Sequence, residues 1–317
     1  MTDMQDDVFK TPVNKIRLFE HGAPGSQNLK LTRKYYTEDM PDGRVKHIVQ
    51  NITDPDIVPY IPDGIGNSTD RQRIPAVLII PGGAFRRLVY NFEGEDVAKW
   101  LNSMGIAAFV LECRLPSDEH DNAEDVPLID AMRAMRVIRG RAQEFGIDEA
   151  KIGVMGFSAG GFIAALLSTA YESDVYADYK YKDEYDELSA RPDFAVCSYP
   201  VISIDDCIEA GKRYMSEEQV LERISDSKAK ILHKYNPDKL VRLDMPPVFI
   251  CETDDDRTTL SENSVGFYMA ARKAGVSAEL HIFRTGGHGY GCGDDFAQTG
   301  EWKVLFTKWI KSIGIIS

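Results

Sequence analysis

Positive charge is in short supply in this chain. Lys and Arg total 37 against 50 Asp and Glu, giving a net charge of −13 at pH 7 and a pI of about 5.0. Nucleic acid and anionic membrane surfaces repel such a chain, so neither is expected as a partner. Cysteine is sparse as well. The five residues Cys113, Cys197, Cys207, Cys251 and Cys292 contain no CxxC pair. Cys113, Cys197 and Cys251 sit in apolar, strand-like runs, which points to buried free thiols in a reducing compartment. No apolar run is long enough to span a membrane, and the acidic start, Met1-Thr2-Asp3-Met4-Gln5-Asp6-Asp7, lacks the apolar stretch of a signal peptide. The expectation is a cytoplasmic protein, in which Asn51-Ile52-Thr53 and Asn67-Ser68-Thr69 carry no glycan. Internal repeats, low-complexity tracts and a dividing linker are also missing. The 317 residues, 43% apolar and 27% charged, therefore read as one soluble domain with a sizeable core.

What is present is alternation. Residues 15–19, 47–53 and 56–61 read as extended, and Pro62-Asp63-Gly64-Ile65-Gly66-Asn67 as a hairpin tip. Apolar strands are then expected at 76–80, 106–111, 151–155, 194–201, 247–251 and 278–283. Helices are expected at 93–104, 125–145, after residue 158, at 261–274 and at 301–313. Apolar strands separated by helices predict an α/β fold: a mostly parallel central sheet with helices on both faces and the N-terminal segments as antiparallel edge strands. We read residues 1–70 as the extended edge region, and 171–192 and 205–240 as cap-like insertions. Ligands in such sheets bind beyond the carboxyl ends of the strands.

Gly156-Phe157-Ser158-Ala159-Gly160 falls at such an end. The apolar run Lys151-Ile152-Gly153-Val154-Met155 precedes it, and the small-residue helical pattern Gly161-Phe162-Ile163-Ala164-Ala165 follows. Roughly 0.1 chance matches to the bare Gly-x-Ser-x-Gly string are expected in a chain of this composition, so strand before and helix after are what give it weight. A serine on a strained strand-to-helix turn stands at a helix N-terminus, where backbone N–H groups favour developing negative charge.

A serine hydroxyl needs a base, and the base needs a group to orient it. On such elbows the chain order is nucleophile, acid, histidine. Three histidines follow Ser158. His233 lies in a helical pattern and His281 inside a strand. His288 lies in the glycine-rich loop Thr285-Gly286-Gly287-His288-Gly289, just past a strand, where an imidazole can swing over the serine. The acid is expected after strand 247–251, among Glu252, Asp254, Asp255 and Asp256; the residues alone do not choose. A calcium loop at Asp254-Asp255-Asp256 is disfavoured, because its acids are consecutive rather than alternating. An oxyanion also needs donors, worth about 3–4 kcal/mol each in the transition state. Ala159, the residue after the nucleophile, offers one N–H. The loop Pro81-Gly82-Gly83-Ala84-Phe85 offers another.

These residues resemble a known group. Leu18 through Gly25, Pro81-Gly82-Gly83, Glu93-Gly94-Glu95-Asp96, Arg114-Leu115-Pro116, Asp130-Ala131-Met132-Arg133-Ala134, the Ser158 elbow, Tyr199-Pro200-Val201, Glu262-Asn263-Ser264 and Gly286-Gly287-His288-Gly289 are similar to α/β-hydrolase carbohydrate esterases. These are the acetyl xylan esterases and the feruloyl-esterase-like, "xylanase B-like" group. The resemblance implies hydrolysis of short acyl esters through an acyl-enzyme, without metal or cofactor. It implies Ser158, His288 and Asp256 (Asp255 the fallback) as catalytic residues, and the amides of Gly83, Ala84 and Ala159 as the oxyanion hole. The substrate it implies is a small-molecule ester, an acetylated sugar foremost; assembly into a homo-oligomer is left open. Three positions depart from the group's pattern. Ala84-Phe85 stands for Gly-Tyr, Phe92 for a histidine, and Arg257-Thr258-Thr259-Leu260 lacks a valine-proline. An amidase on the same scaffold and a non-catalytic binding relative are the competing readings. Tyr171, Tyr176, Tyr179, Tyr181 and Tyr185 read as a solvated loop or a packing surface between subunits before a sugar-stacking one.

Overall fold

A computed structural model describes residue 9 and residues 13–64, 73–216, 218–219, 230–293 and 298–317. Eleven strands are described. Eight form one sheet in the order β1 (Ile16–Arg17), β4 (Asp56–Tyr60), β7 (Ala107–Glu112), β5 (Ile74–Ile80), β8 (Ile147–Phe157), β9 (Ala195–Ser198), β10 (Val248–Thr253), β11 (Ala278–Phe283). From β7 to β11 every neighbouring pair is parallel, while β1 and β4 add antiparallel at one edge. The sheet is therefore the expected α/β arrangement. β5, β7 and β10 are apolar almost throughout because helices cover both of their faces.

Two expectations need correcting. Residues 47–53 do not join the main sheet. β3 (Val45–Gln50) pairs with β2 (Lys34–Asp39) and β6 (Leu88–Val89) in a separate antiparallel sheet. Pro62-Asp63-Gly64 is not a hairpin tip either: β4 and β5 both pair with β7, which lies between them. Ile65, Gly66 and Asn67 fall outside the described residues.

The helix expected at 125–145 is broken. α2 (Val126–Gly140) ends at Arg141, and a short α3 (Ala142–Phe145) closes on Gly146 in the left-handed region at φ 66°. One π-helical turn, Asn91–Glu95, leads into α1 (Asp96–Ser103). α4 (Ala159–Ala170) is buried along nearly its whole length. Its alanines and glycines let it lie close to the sheet. Its two polar side chains are satisfied inside the helix, with Ser168 Oγ donating to Ala164 O at 2.7 Å and Thr169 Oγ1 to Ala165 O at 3.0 Å. The helices Ser261–Ala274 and Glu301–Ser312 complete the cover. Trp302, Phe306 and Trp309 of the last helix are buried, and the last two pack with Phe249 of β10.

Several motif residues are scaffold. Arg114 and Asp130, both fully buried, pair through 2.6 and 3.0 Å contacts, and the same guanidinium reaches Ser26 Oγ at 2.8 Å and Pro24 O. Removing either charge would strand the other in the core. The tyrosines of 171–185 pack within this chain. Tyr179 lies edge-on to Phe19 and donates to Gly22 O at 2.9 Å; Tyr176 donates to Asp186 at 2.9 Å; Tyr171 donates to Asp244 at 2.8 Å. Cys113, Cys197 and Cys251 are buried free thiols, and Cys292 is buried. Among the described residues no helix is long and apolar enough to cross a membrane.

Candidate active site

The register of the sheet brings the strand ends into line. Ile80 lies beside Gly156, Phe157 beside Ser198, Cys251 beside Ser198 and Thr253 beside Phe283. The Pro81–Ala84 loop, Ser158, Tyr199, Asp254–Asp256 and the 284–289 loop therefore all leave one edge.

Ser158 sits at φ 54° and ψ −120°, a backbone region that a residue with a side chain occupies at a cost of roughly 1–3 kcal/mol. The turn holds it there. Ser158 N donates to Ser198 O at 3.0 Å, and Ser158 O accepts from Phe162 N at 3.1 Å to begin α4. Small neighbours are mandatory. A Cβ on Gly156 would lie 2.1 Å from Gly160 O, and one on Gly160 would lie 2.0 Å from Ile80 O.

Ser158 Oγ lies 2.8 Å from His288 Nε2, and His288 Nδ1 lies 2.6 Å from Asp256 Oδ2. A carboxylate only accepts, so Nδ1 carries the proton and Nε2 is left to accept from the serine hydroxyl. Asp256 is buried, and its other oxygen accepts the amides of Thr258 at 2.7 Å and Thr259 at 3.0 Å. Thr259 Oγ1 is within bonding distance of both Asp256 Oδ2 (3.0 Å) and Tyr199 O (3.2 Å); its single proton serves one at a time.

The other candidates lie elsewhere. His281 is held in β11 by Glu279 at 2.8 Å and by the Phe249 ring, and His233 is exposed on the short helix Lys230–Lys234. Asp255 is exposed and holds the histidine loop: its Oδ1 accepts the amides of Gly286 at 2.9 Å and Gly287 at 2.8 Å. Thr253 Oγ1 adds a bond to Gly287 O at 2.9 Å. Glu252 is buried at the end of β10, taking Thr253 N at 2.9 Å and Ser264 Oγ at 3.2 Å. Burial, then the neighbouring Asp256, holds its carboxyl well above the usual range. Asn263 Oδ1 accepts the amides of Ile202 and Ser203, fixing the chain beyond β9.

Gly83, Ala84, Ser158 and His288 line one cavity of about 250 Å³, together with Phe92, Glu93, Thr258 and residues of the small sheet. Ala159, next to the serine, is the first residue of α4. Gly82 N–H donates to Glu93 Oε2 at 2.8 Å, so that amide is occupied. Glu93 was not singled out as a site residue from the sequence. Its Oε1 accepts Tyr199 OH at 3.0 Å, and Tyr199 OH accepts Gly291 N–H at 3.0 Å. Burial raises the Glu93 carboxyl, with the charge of His288 acting the other way. A wider cleft of about 680 Å³ lies around Arg139 and Tyr185. There the guanidinium of Arg139 is taken up by the carbonyls of Glu149, Ser189 and Arg191.

The BD-FAE family matches residues 65–270. The chain belongs to that family. Its resemblance to the α/β-hydrolase carbohydrate esterases holds for family and fold alike. An acetylxylan esterase of Xylanibacter ruminicola is 31% identical over 240 residues, 75% of this chain and 45% of that protein. An endo-1,4-beta-xylanase B of Butyrivibrio fibrisolvens is 31% identical over 227 residues, 71% of this chain and 34% of that protein. The chain thus spans less than half the length of these two relatives. Among solved structures, an acetyl ester-xyloside bifunctional hydrolase of Caldicellulosiruptor lactoaceticus is 37% identical at a TM-score of 0.67, covering 84% of this chain and 91% of that one. A carboxylesterase of Lactobacillus plantarum, 20% identical at a TM-score of 0.67 over 90% of this chain and 99% of that one, shares the fold.

Proposed function

We propose that this BD-FAE family member is a serine carboxylesterase that removes short acyl groups, acetyl foremost, from a carbohydrate or similar small alcohol. The observation that carries the reading is His288, bonded on one side to Ser158 Oγ and on the other to the buried Asp256. Ser158 Oγ attacks the ester carbonyl as its proton passes to His288 Nε2. Asp256 keeps the Nδ1 proton in place and balances the imidazolium. The amides of Gly83, Ala84 and Ala159 receive the oxyanion. His288 returns the proton to the departing alcohol, and water then cleaves the acyl-enzyme by the same steps in reverse order.

Short acyl groups are favoured by size. The cavity of about 250 Å³ falls below the roughly 300–1,000 Å³ that enclose a drug-sized ligand. The acetyl ester-xyloside hydrolase and the acetylxylan esterase among the relatives support acetyl as the acyl half and a sugar as the alcohol half.

The test combines a phosphonate probe with a substrate panel. The probe should label Ser158 and fail on Ser158→Ala. p-Nitrophenyl acetate should be cleaved faster than longer esters and faster than the acetanilide. Preference for the anilide would make the chain an amidase, and no label at Ser158 would make it a binding protein.

A further inference from the structure

The cavity is basic although the chain is acidic. Of its charged lining residues beside His288, three are cationic, Arg44, Lys46 and Arg87, and one is acidic, Glu93. The whole chain has the opposite balance, with 37 basic against 50 acidic residues. Glu93 is the one acid among them: its oxygens accept Gly82 N–H and Tyr199 OH, burial raises its carboxyl, and the charges of His288 and Lys46 act the other way.

The cations come from the small sheet and the loops beside it, not from the elbow. Lys46 lies on β3 opposite Glu38 of β2. The carboxylate of Glu38 is engaged by Arg87, and among the described residues the half-buried Lys46 ammonium makes no ion pair, feeling the Glu93 carboxyl only at longer range. Arg44 pairs with Asp42 at 2.8 Å, and its guanidinium lies 5.2 Å from the centre of the Phe92 ring. Neither Glu38 nor Asp42 lines the cavity. These cations line the same cavity as Ser158 and His288, so the alcohol half of an ester held at Ser158 meets this rim.

We propose that the alcohol half of the substrate carries an anionic group, a sugar carboxylate or a sugar phosphate, read by Lys46 with Arg87 and Arg44. The inference rests on the esterase reading above and names its substrate class.

The experiment measures acetate release from three substrates: acetylated methyl glucoside, acetylated methyl glucuronoside and acetylated glucose phosphate. The expected result is a kcat/KM about tenfold higher on at least one anionic substrate, the order of one partly screened charge pair. That preference should shrink at high salt, vanish in Lys46→Gln and survive in Lys46→Arg. Glu38→Gln, which releases Arg87, should increase it, a gain that misfolding does not produce. Equal rates on all three substrates, or a preference unchanged in Lys46→Gln, overturns the inference and leaves the esterase intact. Cleavage of p-nitrophenyl acetate without release from any of the three sugars also overturns it. Loss of all ester cleavage together with loss of probe labelling overturns the esterase reading itself.

Discussion

Glu93 accepts the hydroxyl of Tyr199 at 3.0 Å through one oxygen and the amide of Gly82 at 2.8 Å through the other. Tyr199 in turn accepts the amide of Gly291 at 3.0 Å and packs its ring 5.0 Å from that of His288. One buried carboxyl thus joins the loop proposed to bind the oxyanion to the loop that carries the histidine. Glu93→Ala should lower kcat about a hundredfold, change KM little and cost about 2–3 kcal/mol of stability, because two buried donors lose their acceptor. Glu93→Gln keeps one acceptor oxygen and should lose far less. Steady-state kinetics on p-nitrophenyl acetate and urea unfolding decide it, and a kcat for Glu93→Ala within twofold of wild type removes the tie from the mechanism.

Asp255 and Asp256 are adjacent but serve different atoms. Asp256 meets the imidazole, while Asp255 meets the two amides just before it. Burial works against the Asp255 charge, yet the amide of Gly287, the Thr253 hydroxyl and the amide of Gly286 outweigh it and hold the carboxyl below its ordinary value. Asp256→Asn should reduce kcat by about 10²–10⁴, since an amide no longer fixes the proton on Nδ1. Asp255→Asn retains an oxygen for both amides and should stay within about threefold of wild type. The reverse order of effects would make Asp255 the acid in solution.

Ala84 and Phe85 occupy the left-handed region, at φ 58° and 59°. A side chain there costs about 1 kcal/mol, partly offset by the lower entropy that alanine has in the unfolded chain. Ala84→Gly should therefore stabilise the protein by about 0.5 kcal/mol, read as a higher urea midpoint. A lower midpoint would mean that the Ala84 methyl group packs usefully in the cavity.

The parts legible in the sequence are those written by local pattern. The elbow announced itself because a strained turn needs glycines at fixed spacing, and the parallel strands because burial on both faces leaves an unbroken apolar run. His288 stood out through its position past a strand. The parts not legible depend on contacts between distant segments. Nothing near Glu93 shows that its carboxylate meets Gly82 and Tyr199. β2 is largely polar and shows no period-two alternation, and its pairing with β3 is visible only in the fold, so the Lys46 and Arg87 rim was not found. The choice between Asp255 and Asp256 needed the resemblance, because four acids after one strand differ only in where the turn aims them.

Asp118 and His120 are close in sequence and titrate in opposite senses. Burial pushes the Asp118 carboxyl from 3.8 up to about 6, although Ile52 N–H donates to it at 3.3 Å. Burial, then the charge of Arg114, pushes the His120 imidazole from 6.5 down to about 4. The folded protein therefore holds the Asp118 proton more tightly than the unfolded chain does. The stability from this group is complete below pH 3.8 and is lost as the pH rises through about 6. His120 behaves oppositely: its contribution is complete above pH 6.5 and is lost as the pH falls through about 4. Between these limits the slopes oppose, each worth about 1–2 kcal/mol once solvent screening is allowed for. Asp118→Asn, which keeps an acceptor for Ile52, should expose the histidine slope, so that stability relative to wild type grows as the pH rises from 4 to 6. His120→Asn should expose the carboxyl slope, and its stability relative to wild type should fall over the same interval. Urea midpoints for wild type and both variants across that interval test the pair, and parallel pH profiles for all three proteins would show that neither group titrates where its burial places it.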